Sequence, residues 1–117
     1  MPHDDTSLPS VLYVEDNPAN LSLVAEIIRF RADVRLLSAP DAGLGIELAR
    51  DHLPRVILRD LNLPGISGTD ALRTLRGNPE TAHIPVIAVT ANAMPRDIAQ
   101  GLSDGFFRYV TKPLRAR

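Results

Sequence analysis

Three acidic residues that could share a metal ion follow two apolar runs of this sequence. Glu15 and Asp16 come directly after Ser10–Val14, and Asp60 closes the run Val56–Asp60. Carboxylates brought together repel, since two unit charges about 4 Å apart cost roughly 4 kcal/mol at an effective dielectric constant of 20. Such a cluster needs a proton or a cation, and a ligand set made only of oxygen atoms favours a hard ion such as Mg²⁺.

A hydroxyl and an amine follow two later apolar runs. Thr90 ends the run Pro85–Thr90, and Lys112 lies just beyond Phe106–Val110. A lysine supplies a compact positive charge and a threonine supplies a hydroxyl donor, so the pair would suit a phosphoryl group. Taken singly, each residue has an ordinary explanation as a turn former, strand residue or solvated side chain. Their joint occurrence favours a functional site.

The elements that must position these residues alternate along the chain. Short apolar strands are expected at residues 10–15, 34–38, 56–60, 85–90 and 106–110. Helices are expected from Pro18 to about Phe30, from a cap at Asp41 to about His52, after a capping box at Ser67–Asp70, and over about 95–103.

This alternation implies a parallel sheet with helices on both faces. The strands are continuously apolar, as expected for strands buried on both sides. In open α/β sheets, ligands bind beyond the carboxyl ends of the strands. We therefore expect the polar residues that follow the strands to share one edge of the molecule.

Length and composition restrict the class of protein. A chain of 117 residues with a net charge of −1 suits one domain and carries no bulk field that would attract nucleic acid or a membrane. It has no cysteine, which excludes disulfides and thiolate chemistry. The polar residues 1–9 do not resemble a secretory signal. We expect a short disordered leader at 1–9 and a soluble cytoplasmic domain at 10–117.

The residues resemble the receiver domain of two-component response regulators. The resemblance runs from Val11 to about Pro113 and rests on the blocks VLYVEDNPANL, VILRDLNLPGISG, VIAVTANAM and GFFRYVTKP. The spacing agrees as well, with 90 − 60 = 30 residues from acid to hydroxyl and 112 − 90 = 22 from hydroxyl to lysine. The resemblance implies a flavodoxin-like, doubly wound, five-stranded sheet in the order 2-1-3-4-5. The segments ANAMPRD and GFFRYVTKP resemble receivers of hybrid sensor histidine kinases.

The resemblance also implies the roles of the acidic residues. Asp60 would be the phosphoacceptor, becoming an aspartyl phosphate. Asp16 and Asp60 would be direct ligands of Mg²⁺, with the backbone carbonyl of Asn62 as a third, and Glu15 would act through a metal-bound water.

Three further residues receive implied roles. Lys112 would pair with the phosphoryl group, Thr90 would be the switch hydroxyl, and Tyr109 would be the switch aromatic that turns inward when Thr90 moves. The implied donor is a sensor histidine kinase or a histidine phosphotransfer protein, and the output is contact with a downstream protein. Such a domain would be no enzyme beyond its own phosphorylation and dephosphorylation, with no nucleic-acid or membrane partner.

Two features depart from the family pattern. Arg59 lies within a strand that should be buried, and only Leu114–Arg117 remain where a fifth helix would follow. We therefore predict a sheet truncated after its fifth strand, with part of one face open. Arg59 is expected on that open side with its head in water or on an acid, or else to be merely tolerated in a clipped chain. A second copy of the chain could cover the open face as a homodimer.

Three other functions are alternatives to a phosphorylated receiver. The first is a degenerate receiver that binds proteins without phosphorylation. A flavodoxin-like enzyme or flavin carrier would need a phosphate-cradling loop after the first strand, where the sequence has the acidic EDNPAN. A haloacid-dehalogenase-type phosphatase would need a second acid two residues after Asp60, where the sequence has Asn62.

Overall fold

The computed structural model describes residues 8–29, 33–61, 68–90 and 94–111. In these ranges, five strands alternate with four helices in the predicted order. The strands are β1 (Ser10–Val14), β2 (Arg35–Ala39), β3 (Val56–Asp60), β4 (Val86–Thr90) and β5 (Arg108–Thr111). The helices are α1 (Pro18–Arg29), α2 (Ala42–His52), α3 (Gly68–Arg76) and α4 (Pro95–Asp104).

The strands form one parallel sheet in the order β2-β1-β3-β4-β5, which confirms the predicted topology. The register aligns the carboxyl ends of neighbouring strands: Val14 pairs with Arg59, Asp60 with Val89, and Thr90 with Thr111. Parallel strands bury both faces, which explains why the sequence of each strand is apolar almost throughout. The residues that follow the strands therefore meet at one edge.

Helices α1 and α2 begin where the sequence places capping residues, whereas Ser67 of the predicted capping box lies outside the described residues. The Oδ1 atom of Asn17 accepts a hydrogen bond from the backbone N–H of Ala19 at 2.8 Å, and Pro18 opens α1. Asp41 caps α2 by accepting from the N–H of Leu44 at 2.9 Å, as predicted. None of the helices in the described ranges is long and apolar enough to cross a membrane.

Strand β5 begins two residues later than predicted because the preceding residues complete the end of α4. Gly105 adopts a left-handed conformation with φ of 117°, which suits a residue without a Cβ atom. The N–H of Phe106 then donates to the carbonyl of Gly101 at 3.1 Å. Phe106 therefore belongs to the helix cap, and regular pairing starts at Arg108.

The core consists of two clusters on opposite faces of the sheet. One lies under α2 and α3 and includes Leu12, Val14, Ala39, Ala49, Ile57, Leu72, Leu75, Ile84, Val86 and Ala88. The other lies under α1 and contains Tyr13, Val24 and Val89, with Leu21, Ile28, Leu36 and Leu58 packed against it. On β3, successive residues alternate between these faces, as expected for a strand.

The prediction that Arg59 lies on an open face of the sheet is wrong. Its side chain is only 3% exposed. It lines a cavity together with residues of α2 and α3, namely Ala42, Gly45, Ile46, Ala71, Leu72 and Leu75. The reason is the alternation along β3, which turns Arg59 toward the face that α2 and α3 cover. Residues 114–117, where a fifth helix was predicted to be missing, and residues 1–7 of the predicted leader lie outside the described residues.

Candidate functional site

The carboxyl edge of the sheet brings together two of the predicted reactive side chains. Asp60 is the last residue of β3 and is 3% exposed, and Thr90 is the last residue of β4 and is 4% exposed. Because Asp60 pairs with Val89, Thr90 lies one residue further along the neighbouring strand. A buried carboxylate and a buried hydroxyl therefore end adjacent strands at the same edge.

Glu15 is held at this edge by two hydrogen bonds. Its side chain is 2% exposed. The Oε1 atom accepts from the hydroxyl of Tyr13 at 2.8 Å, and the Oε2 atom accepts from the backbone N–H of Asn17 at 3.2 Å. Both carboxylate oxygens are thus engaged by groups of the same short segment of chain.

The acidic residues fit a small, hard cation by the chemistry of their donors. Asp16 is exposed directly after β1, and Asp60 is buried at the end of the adjacent strand β3. Both supply carboxylate oxygens, the ligands that Mg²⁺ prefers, and Mg²⁺ needs only one or two carboxylates beside its waters. Within the described ranges, no group of three or more His, Cys, Asp or Glu residues is gathered closely enough to hold a metal ion. The fit to a cation therefore rests on the carboxylate chemistry of Asp16 and Asp60 alone.

Tyr13 is a further residue of this edge that was not predicted from the sequence. Tyr13 is fully buried, and the pKa of its phenol is raised, first by burial and then by the hydrogen bond to Glu15 and the charges of Glu15 and Asp60. The hydroxyl therefore remains protonated and remains a donor at neutral pH. The signal available in the sequence was the spacing of two between Tyr13 and Glu15, which places both on one face of a strand.

Arg59 places a positive charge next to the edge but on the other face of β3. Burial lowers the pKa of its guanidinium below the ordinary value, while the charge of Asp60 acts in the opposite direction. An arginine stays protonated at neutral pH even when its pKa is lowered. Asp60 therefore has a permanent buried cation as its neighbour in sequence.

Tyr109, the predicted switch aromatic, is half-buried against α4. Its ring meets the ring of Phe106 edge-on, with centroids 6.0 Å apart and planes at 83°. It also lies directly on the backbone of Gly101, so closely that a Cβ atom at that position would overlap with the ring and the hydroxyl. Burial and the charges of Asp97 and Asp104 raise the pKa of Tyr109.

Tyr109 and Thr90 lie on the same face of the sheet. Tyr109 pairs with Ala88 in the ladder between β4 and β5, and both contribute to the cluster under α2 and α3. Thr90 follows Ala88 by two residues and so points to the same side. The other two predicted site residues, Asn62 and Lys112, lie outside the described residues.

Nearly the whole chain matches a single protein family. Residues 11–117 match the model of the response regulator receiver domain. Among curated proteins, the chain is 39% identical over 107 residues to the polar-differentiation response regulator DivK of Brucella ovis, covering 90% of this chain and 85% of that protein.

Solved structures of a response regulator and of a receiver domain are also similar to this chain. A response regulator from Desulfuromonas acetoxidans superposes with a TM-score of 0.83 at 29% identity, covering 92% of this chain and 87% of that one. The receiver domain of the sensor histidine kinase PA1611 from Pseudomonas aeruginosa PAO1, with a magnesium ion coordinated in its active site cleft, superposes with a TM-score of 0.81 at 30% identity. That match covers 93% of this chain and 88% of the other.

Proposed function

Because this chain belongs to the response regulator receiver domain family, a family of two-component signalling modules, we propose that it accepts a phosphoryl group on Asp60. The observation that carries the proposal is the buried Asp60 at the carboxyl edge of the sheet, where the buried Thr90 ends the neighbouring strand. The reaction is transfer to the protein's own side chain, so the domain is a signalling module rather than a typical enzyme.

The proposed step forms one bond and breaks one. A carboxylate oxygen of Asp60 attacks phosphorus in a phosphohistidine, the P–N bond breaks, and the departing imidazole takes up a proton. With a small acyl phosphate as donor, the P–O bond to the acyl group breaks instead. Burial of Asp60 favours this chemistry because it limits the access of competing water.

Mg²⁺ is the proposed cofactor, held by Asp16, Asp60 and the backbone carbonyl of Asn62, with Glu15 acting through an intervening water. When bound, the ion neutralises the carboxylates and the incoming phosphoryl oxygens. Support comes from the all-oxygen donor set of this edge, and from the magnesium ion in the 30% identical receiver of PA1611. Lys112 is proposed to pair with the phosphoryl group as a point charge.

The proposed output is a shift between two conformations. The hydroxyl of Thr90 would move toward the phosphoryl oxygen, and Tyr109 would follow into the space this opens. Support comes from the shared sheet face of the two side chains and from the half-buried position of the Tyr109 ring. A downstream protein would then read the changed surface.

The proposed phosphoryl donor is a sensor histidine kinase or a histidine phosphotransfer protein in the cytoplasm. The resemblance of ANAMPRD and GFFRYVTKP to receivers of hybrid kinases favours a relay of this kind. A homodimer through the sheet face stays a separate prediction. Light scattering at micromolar protein concentration tests it, and a monomer alone would contradict it.

The function is tested by phosphorylation in vitro. Incubation with acetyl phosphate and Mg²⁺ is expected to add one phosphoryl group, detected as a mass gain that is stable to acid and labile to base. The Asp60→Asn variant is expected to show no gain. The Asp70→Asn variant is the matched control, because Asp70 is an exposed carboxylate of α3 that forms a surface ion pair with Arg73.

Two outcomes would reject the proposed mechanism. One is equal phosphorylation of the parent and Asp60→Asn. The other is no phosphorylation of a folded parent, which would instead favour the degenerate receiver that binds proteins without chemistry.

A further inference from the structure

The hydroxyl of Tyr13 restrains the carboxylate of Glu15. The two side chains follow each other on the same face at the end of β1, and the hydrogen bond between them is 2.8 Å long and buried. The side chain of Tyr13 is held in place, because its ring is 0% exposed and packs in the cluster with Val24 and Val89. Close packing of the ring restricts the positions open to its hydroxyl.

The second oxygen of Glu15 is restrained as well. Its Oε2 atom accepts from the backbone N–H of Asn17, and Asn17 itself caps α1. To reach a cation at Asp16 and Asp60, Glu15 would have to move away from these donors and leave the buried hydroxyl of Tyr13 without its partner, which is costly. Each carboxylate oxygen keeps a second lone pair, so Glu15 can still accept a hydrogen bond from a water.

We propose that Tyr13 determines metal selectivity: its hydroxyl keeps Glu15 out of direct contact with the bound cation and so favours Mg²⁺ over Ca²⁺. This inference rests on the proposed function, since it concerns the same metal site. It adds a residue and a property that the proposed function does not require.

The selectivity follows from the different demands of the two ions. Mg²⁺ holds several waters and is bound through one or two carboxylates, whereas Ca²⁺ takes six to eight oxygens and accepts carboxylates in flexible geometry. A restrained Glu15 leaves the site short of oxygens for Ca²⁺. A released Glu15 adds one or two, which improves the site for Ca²⁺ and disturbs the hydrated site that Mg²⁺ prefers.

The test is the Tyr13→Phe variant of the full chain, titrated separately with MgCl₂ and CaCl₂ by isothermal calorimetry. Phenylalanine keeps the buried ring and removes only the hydroxyl. We expect the ratio of the Ca²⁺ to the Mg²⁺ dissociation constant to fall about tenfold, in the range of outer-shell effects on metal sites. In a Glu15→Ala background, the same change is expected to leave the ratio unaltered, because the restrained carboxylate is absent.

Thr81→Val is the matched control for loss of a buried hydroxyl. Thr81 is 0% exposed and donates to the carbonyl of Leu75 at 2.6 Å, before the amino end of β4 and so at the other end of the sheet. It is expected to lose stability without a change in the ratio. Thermal unfolding of all variants shows that each is folded.

The outcomes separate the inference from the proposed function. If Tyr13→Phe weakens both ions in parallel, or leaves both unchanged, the inference is overturned while the metal site stands. If the parent binds neither ion, the proposed metal site fails and the inference fails with it. Phosphorylation of Asp60 from acetyl phosphate is read separately and distinguishes these cases.

Discussion

At the scale of single residues, the carboxyl edge contains buried side chains of opposite charge. Burying each of them without an opposite charge nearby would cost free energy. Asp60 and Glu15 are carboxylates with 3% and 2% exposure, and Arg59 is a guanidinium with 3% exposure. Neighbouring residues of a strand point to opposite faces, so Arg59 does not occupy the proposed metal position. Its charge nevertheless acts on Asp60, because an interior of low dielectric constant screens charge poorly.

We predict that Arg59→Met tightens the binding of Mg²⁺. Methionine preserves the buried stem and removes the positive charge that repels a divalent cation at Asp60. The dissociation constant is expected to fall about 3- to 10-fold, as for one charge at several ångströms in a partly screened interior. Calorimetric titration checks this, with Arg55→Met as control, since Arg55 is exposed before the amino end of β3. An equal effect of both variants would contradict a local action of Arg59.

At the scale of elements, α4 and β5 are fitted to each other through Gly101 and Tyr109. Gly101 is buried in α4, where a glycine ordinarily costs helix stability relative to alanine. The compensation is the ring of Tyr109, which occupies the volume that a methyl group would need. The position of the proposed switch aromatic thus depends on the absence of one atom in the neighbouring helix.

We predict that Gly101→Ala displaces Tyr109 and lowers the free energy of unfolding by about 1 kcal/mol or more, since overpacking outweighs the gain in helix propensity. Gly43→Ala is the matched control. Gly43 is an exposed helical glycine, and its added Cβ would lie an ordinary 3.4 Å from the Oδ1 atom of Asp41. That variant should gain about 0.5 kcal/mol. Urea unfolding measures the free energy of unfolding of both variants. A gain in stability for Gly101→Ala would contradict the prediction that the ring of Tyr109 needs the space beside Gly101.

At the scale of the whole molecule, one side chain of α3 bonds to the turn before β4 and to the end of α4. The Nη1 atom of Arg76 donates to the carbonyls of Ala82 and Ile84 at 2.9 and 2.8 Å, and Nη2 donates to the carbonyl of Gly105 at 3.4 Å. The three acceptors belong to the turn before β4 and to the end of α4. A guanidinium presents its donors in a fixed planar fork on two nitrogen atoms, which the single nitrogen of an ammonium does not.

We predict that Arg76→Met lowers the free energy of unfolding by about 2 kcal/mol, because it leaves carbonyls without their charged donor. Arg73→Met is the comparison in the same helix. Arg73 pairs with Asp70 at 3.1 Å on the surface, with 75% and 62% of the side chains exposed, and such a pair contributes about 0.5 kcal/mol or less. Chemical denaturation of the two variants gives the difference, and equal losses would contradict a special role for Arg76.

The order of the elements and the edge that collects Asp60 and Thr90 could be predicted from the sequence, because both depend on local periodicity and on the parallel topology it implies. The burial of Arg59 could not, because it depends on which helices cover each face. The contacts of Tyr13 with Glu15 and of Tyr109 with Gly101 were also missed. They are matters of side-chain packing within and between elements, which residue types alone do not specify.

The position of β1 at the inside of the sheet also has a consequence for synthesis on the ribosome. β1 is the first strand to emerge, yet its two neighbours are β2 and β3, and β3 ends at Asp60. Until that residue leaves the ribosome, one edge of an apolar strand remains open to other chains and to chaperones. A nascent chain can therefore carry Glu15 and Asp16 before Asp60 and Thr90 exist, and the proposed phosphoryl site is complete only once the later strands have been made.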